Sequence, residues 1–209
     1  MKPILFNTEM VKAIMDGRKT VTRRLIKPQP GADADLMYAY AASRKQDIGK
    51  WHDRKTGQTW NPPYHADDIL YVRETWGVYC RNWWEADYYN YRADWQAQET
   101  PYGLTEPPKW RPSIHMPKEA ARIFLRVKRV RVERLQEITA DECPMEGTPL
   151  FSGLVGDRER FYKEAFAKVW DSTIPRHPNK FKSYPYYWKD NPWVWVNEFE
   201  RISKEEALK

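Results

Sequence analysis

Gly17-Arg18-Lys19-Thr20-Val21-Thr22-Arg23-Arg24 closes one element and opens the next. The segment 8–16 before it is amphipathic. Thr8 offers a hydroxyl to cap a helix, Glu9 suits the positive end of the helix dipole, and Met10, Ala13 and Ile14 share a face. Gly17 suits the left-handed position that ends a helix. Beyond it, β-branched residues at 20, 21 and 22 favour extended backbone. A helix, a turn and a strand loaded with positive charge are therefore expected here.

Working outward, 2–6 is a short apolar run able to form a first strand, and 69–76 alternates as a strand, Leu70 and Val72 opposing Ile69, Tyr71 and Arg73. Tyr89 and Tyr91 alternate with Asn90 and Arg92, which fits another. Across 123–135 the alternation of Leu125 and Val127 is broken at Lys128-Arg129 and resumes on the other parity with Val130 and Val132, so a β-bulge is expected there. Thr139 and Glu142 have capping-box spacing for a short helix containing Pro144. A longer helix is expected over 157–171, its stripe formed by Phe161, Ala165 and Val169 with Phe166 and Trp170. The last strand is expected over 193–201, followed by a frayed tail. The Pro- and Gly-rich 28–63 reads as loops with one helical turn near 36–42, and 99–117 and 174–190 read as loops.

At 209 residues the chain is long enough for one sizeable core. No apolar run approaches membrane-spanning length and 1–6 is too short for a signal-peptide core, so a cytoplasmic protein with no membrane partner is expected. Cys80 and Cys143 stand far apart, and His52, His65, His115 and His177 are scattered without ligand spacing, so neither a disulfide, a metal site nor a cofactor is suggested. Lys plus Arg exceed Asp plus Glu, 35 to 29, a net charge of +6 that favours an anionic partner. The cations cluster at Arg18, Lys19, Arg23, Arg24 and Lys27 and again at Arg122, Arg126, Lys128, Arg129, Arg131 and Arg134. With 11 Trp and 13 Tyr, some rings are candidates to stack bases, at about 1–3 kcal/mol each.

A helix ending in G-[RK]-K-T-x-T-x-R resembles the signature of the ASCH domain family. Asp68-Ile69-Leu70-Tyr71-Val72 resembles its second motif, G-D-x-L-x-V, with Asp67 in place of the glycine. A long strand at 122–135 followed by Glu137 to Gly147 resembles the third, and 191–200 resembles the last strand, closest to the larger phage and prophage members. A turn at 118–121 also has its counterpart there. These pieces cover somewhat under half the chain, in the family's order. The resemblance implies an α+β fold, a PUA-like closed mixed β-barrel with flanking helices. It would be one domain over 1–209, with long insertions at about 28–66, 77–117 and 148–190.

Small bacterial members hydrolyse N4-acetylcytidine. Their catalytic set, carried over by motif, falls on Lys19 as base, Thr22 as nucleophile and Glu146 as supporting acid, with Asp141 and Glu142 close enough to take the acid's place. Lys19 must be neutral to act as a base. Its cationic neighbours push that way and Glu146 pushes back. Arg18, Arg23, Arg24, Arg73, Glu74 and Trp76 are candidate substrate-binding residues, the partner being RNA or a modified nucleoside. A non-catalytic RNA-binding module and a ribonuclease are the alternatives, and the oligomeric state stays open.

Overall fold

The computed structural model describes residues 1–39, 48–79, 88–96, 99–100, 103–104, 106–151, 156–174 and 186–209. Its strands are β1 (Lys2–Leu5), β2 (Val21–Leu25), β3 (Leu36–Tyr38), β4 (Trp51–Asp53), β5 (Thr59–Trp60), β6 (Ile69–Arg73), β7 (Trp76–Tyr79), β8 (Tyr88–Tyr91), β9 (Glu99–Thr100), β10 (Gly103–Leu104), β11 (Phe124–Arg134) and β12 (Trp193–Ile202). Its helices are α1 (Thr8–Met15), α2 (Glu142–Met145), α3 (Arg158–Thr173) and α4 (Lys204–Ala207). The fold is α+β with parallel and antiparallel pairing. No described helix is long and apolar enough to cross a membrane.

The chain divides into two compact units, each assembled from separated segments. Unit 1 takes residues 1–20, 67–126 and 200–209. Here β1 runs parallel to β6, Ile4 opposite Val72, and β6 pairs antiparallel with the start of β11, Leu70 opposite Leu125. Trp76, Met116, Ala120, Ala121, Phe124, Ile202 and Ala207 form a buried cluster. The tail is ordered rather than frayed: Ser203 and Glu206 make a reciprocal capping box on α4, which lets Ala207 enter that cluster.

Unit 2 takes residues 21–66 and 127–199. Here β2 pairs antiparallel with β12, Thr22 opposite Asn197 and Arg24 opposite Trp195. Val21, Val194 and Val196 pack with Leu135, Ile138, Cys143 and the helix face Tyr162, Phe166 and Trp170. Burial pushes the Cys143 thiol up to about 11, an inert packing group. The expected stripe on α3 is displaced by one position: Tyr162 is buried while Phe161 is exposed. An aromatic at every fourth position, 162, 166 and 170, is what faces the sheet.

Two further expectations are corrected. Asn7, not Thr8, caps α1, its side chain accepting from Met10 N at 2.9 Å, and Val11 joins Ala13 and Ile14 as the buried face. The turn expected near 36–42 is instead strand β3, which with β4 and β5 makes a three-stranded antiparallel sheet. A helical turn there is overridden because Leu36 and Trp51 pack against Ile26, Trp60 and Trp195. Residues 40–42 of that expectation, with Cys80 and His177, lie outside the described residues.

The motif positions behave as turns. Gly17 and Gly147 have φ of 75° and 96°, and Asp67, which stands where the resembled motif has glycine, has φ 66°. Aspartate is one of the few side chains that tolerates this left-handed region, so the chain turns here without a glycine. At 139–142 the expected capping box forms, Thr139 N donating to the Glu142 carboxylate and Glu142 N to Thr139 Oγ1. Lys128 and Arg129 are both exposed, and beyond them Val130 to Arg134 are uniformly half-buried, Val130 and Val132 packing against Ile26, Trp60 and Trp195.

Candidate functional site

Among the described residues, the buried polar and charged side chains are Lys19, Thr22, Arg23, Asp53, Glu74, Glu146, Thr148 and Asn197. The candidate catalytic residues are all among them: Lys19 is 3% exposed, Thr22 4% and Glu146 5%. A solvated cationic face would leave these groups in water.

Lys19 belongs to unit 1. Its backbone N–H donates to Ala13 O at 2.9 Å, continuing the closure of α1, and its ammonium lies over the Phe6 ring, 5.5 Å from the centroid. That ring face supplies weak electrostatic support to the charged form.

In unit 2, β2 presents two faces. Val21 and Leu25 pack on the α3 core and Arg23 lies over Phe166, so these three share a face, while Thr22 and Arg24 point the other way. Arg23 is the centre of an acid cage. Its Nε donates to Glu133 at 2.8 Å, one terminal nitrogen donates to Glu142 at 2.8 Å, and the other donates to Glu146 at 3.1 Å. Arg131 bridges the same acids, bonding Glu133 at 3.1 Å and also Glu142 and Glu198. Burial opposes the Arg23 charge, but Glu146, Glu133 and Glu142 more than offset it and hold the guanidinium above its usual value. Glu142 is driven up by burial and down more strongly by Arg23, the Thr139 N–H and Arg131, ending below its usual value. Arg24 is half-buried. Burial lowers it, with Tyr64 and Glu146 acting in opposition, so Glu146 lies within electrostatic reach of both arginines.

Asn197 stands beside Thr22 on the second face. It is wholly buried, its Nδ2 donating to Thr22 O at 3.2 Å and to Trp195 O at 3.4 Å, and its Oδ1 has no partner among the described residues. It was not singled out from the sequence. The signal was available as a lone carboxamide in the apolar run Trp193-Val194-Trp195-Val196-Asn197.

The chain matches no protein-family model, no curated protein and no solved structure. Its site is therefore read from its own residues.

The remaining candidates lie in unit 1. Arg18 bonds Asp16 at 3.2 Å. Arg73 donates to the Met116 carbonyl at 2.8 Å and to that of Ile114, clamping the 113–116 turn. Glu74 takes Arg122 Nε at 2.9 Å, and Arg122 also binds Asp94 and stacks 3.9 Å from the Tyr91 centroid. Burial raises Glu74 above its usual value, against the pull of Arg122. Trp76 is buried with Arg111 over its ring at 5.1 Å and Tyr89 edge-on, so its faces are occupied by side chains of the same unit. The basic run from Arg122 through β11 is mostly paired: Arg122 as above, Arg126 with Glu200, Arg131 with its glutamates and Arg134 with backbone carbonyls. No group of three or more His, Cys, Asp or Glu among the described residues is arranged to hold a metal.

Proposed function

We propose that this chain is an ASCH-type protein with a PUA-like barrel that accepts a modified nucleoside and hydrolyses an acyl-amide on its base, as in N4-acetylcytidine. The observation that carries this reading is the burial of Lys19, Thr22 and Glu146 together with Arg23. Buried polar groups are costly, and a sequence retains them where they form a satisfied network or do chemistry. Arg23 and its carboxylates account for the network, while Thr22 and Lys19 fit the chemistry. Left-handed backbone at Gly17, Asp67 and Gly147, the turn positions of the resembled motifs, supports the same family reading.

The reaction divides into two balanced steps. Thr22 Oγ1 forms a bond to the acetyl carbon as its proton passes to a general base, the role the family resemblance gives to Lys19. The C–N bond then breaks, and the leaving amine takes up that proton. Water next cleaves the threonyl ester, releasing acetate and restoring the hydroxyl. Glu146, held by Arg23 at 3.1 Å, supports the charges that develop rather than serving as a free acid.

The charge pattern weighs against the RNA-binding module. Affinity for a polyanion comes from solvated cations that displace counterions. Arg23 is enclosed by three carboxylates, and most of the β11 arginines are paired. The ribonuclease reading has no separate observation in its favour. Incubating the protein with N4-acetylcytidine and following acetate release tests the proposal. Lys19→Ala and Thr22→Ala are expected to lose turnover by roughly 100-fold or more. Full turnover in both variants refutes the roles, and steeply salt-dependent binding of single-stranded RNA without turnover favours the binding module.

A further inference from the structure

We infer that Asn197 reads the base: its Oδ1 accepts one N–H of a nucleobase exocyclic amine, and the site thereby selects ligands that carry that hydrogen. This deepens the nucleoside reading and rests on it.

The orientation of the carboxamide is fixed by its surroundings. Nδ2 lies 3.2 Å from the Thr22 carbonyl and 3.4 Å from the Trp195 carbonyl. Rotating the amide by half a turn would set Oδ1 against two acceptors, so the nitrogen must stay where it is and the oxygen must face away from both. Both N–H groups are thus consumed, which leaves Asn197 an acceptor alone. An asparagine that reads adenine bidentately needs a donor and an acceptor together, and this one cannot supply the donor. Its chemistry is matched to a single N–H.

The oxygen is fully buried and meets no donor among the described residues. Left so, it carries the desolvation penalty of a buried acceptor with no hydrogen bond. Register places Asn197 directly opposite Thr22, on the face that also carries Arg24 and not on the face packed against α3. A base amine bonded to Oδ1 would lie beside the threonine proposed to attack its acyl group. With the oxygen sealed from solvent, a base reaches it only as covering side chains give way.

The test uses the full chain and two probes, cytidine and N4,N4-dimethylcytidine, which has no N4–H, with binding measured by calorimetry. The wild-type protein is expected to bind cytidine about tenfold or more tighter, since a site built around a hydrogen bond rejects the ligand lacking it. Asn197→Leu, of similar volume, is expected to lose about that factor for cytidine and to stop distinguishing the two. Equal binding of both probes by the wild type, binding of neither, or preserved discrimination in Asn197→Leu overturns the inference. Should Asn197→Leu fail to fold by circular dichroism, the wild-type comparison of the two probes decides alone. Acetate release from N4-acetylcytidine separates the two proposals. Discrimination without turnover sinks the hydrolase and leaves Asn197 in place, whereas turnover without discrimination sinks only the role of Asn197.

Discussion

Arg23 in unit 2 and Arg122 in unit 1 are both guanidiniums held by carboxylates, yet they are held in opposite senses. The Arg23 side chain has no exposure, and three glutamates enclose it. The Arg122 side chain is 26% exposed, and the member sealed away is its partner Glu74, at 1%. In the first cluster the cation is buried and over-compensated, so the acids around it gain from staying ionised and Glu142 falls below its usual value. In the second the anion is buried with one cation at the rim, and Glu74 rises. The same two functional groups thus acquire opposite pH responses, and what differs is which partner lost its water.

The largest break in this comparison comes from Arg23→Met. It leaves Glu133, Glu142 and Glu146 facing one another with their central charge gone, and should cost roughly 3–5 kcal/mol in urea melts. A loss below about 1 kcal/mol would show that the cage is not the keystone of unit 2. Arg122→Met should cost less, about 1–3 kcal/mol, because Glu74 can take up a proton and Asp94 is open to water. Equal losses for the two variants would erase the distinction.

Acidification sharpens it further. Glu142 has its folded pKa below the ordinary 4.5, so its contribution is present above 4.5 and is lost as pH falls through the folded value. Glu74 is raised, so its contribution is complete below 4.5 and is lost as pH rises through its folded value. Stability measured against pH should therefore respond on the acid side to Glu142→Gln and on the neutral side to Glu74→Gln. The same response from both variants would contradict the assigned directions. The smallest effect is expected from Arg126→Ala. Its pairs with Glu200 and Glu206 are partly solvated, and the loss should be about 0–1 kcal/mol.

Much of the local structure was legible in the sequence. Gly17 ends α1 in the left-handed region, Thr139 and Glu142 form their box, and β11, β12 and α3 lie within a few residues of their expected spans. These features depend on neighbours within about five positions, where propensity, capping and periodicity act. The errors were also local, and each has a tertiary cause. The buried face of α3 runs through Tyr162 because the sheet beneath it fixes the rotation of the helix. Leu36 became strand because it pairs with Asp53 and packs on an aromatic cluster formed from distant segments.

The sequence by itself determined the cationic junction after α1, the turns around it, and the residue types able to attack and support an amide. Only the tertiary structure decided that Arg23 is enclosed by three carboxylates, for they lie 110, 119 and 123 positions away along the chain. The structure likewise decided that Asn197 meets Thr22, 175 positions away, with an acceptor turned from the backbone. Charge pairing and desolvation depend on which remote groups fold to within a few ångströms, and no local pattern encodes that distance.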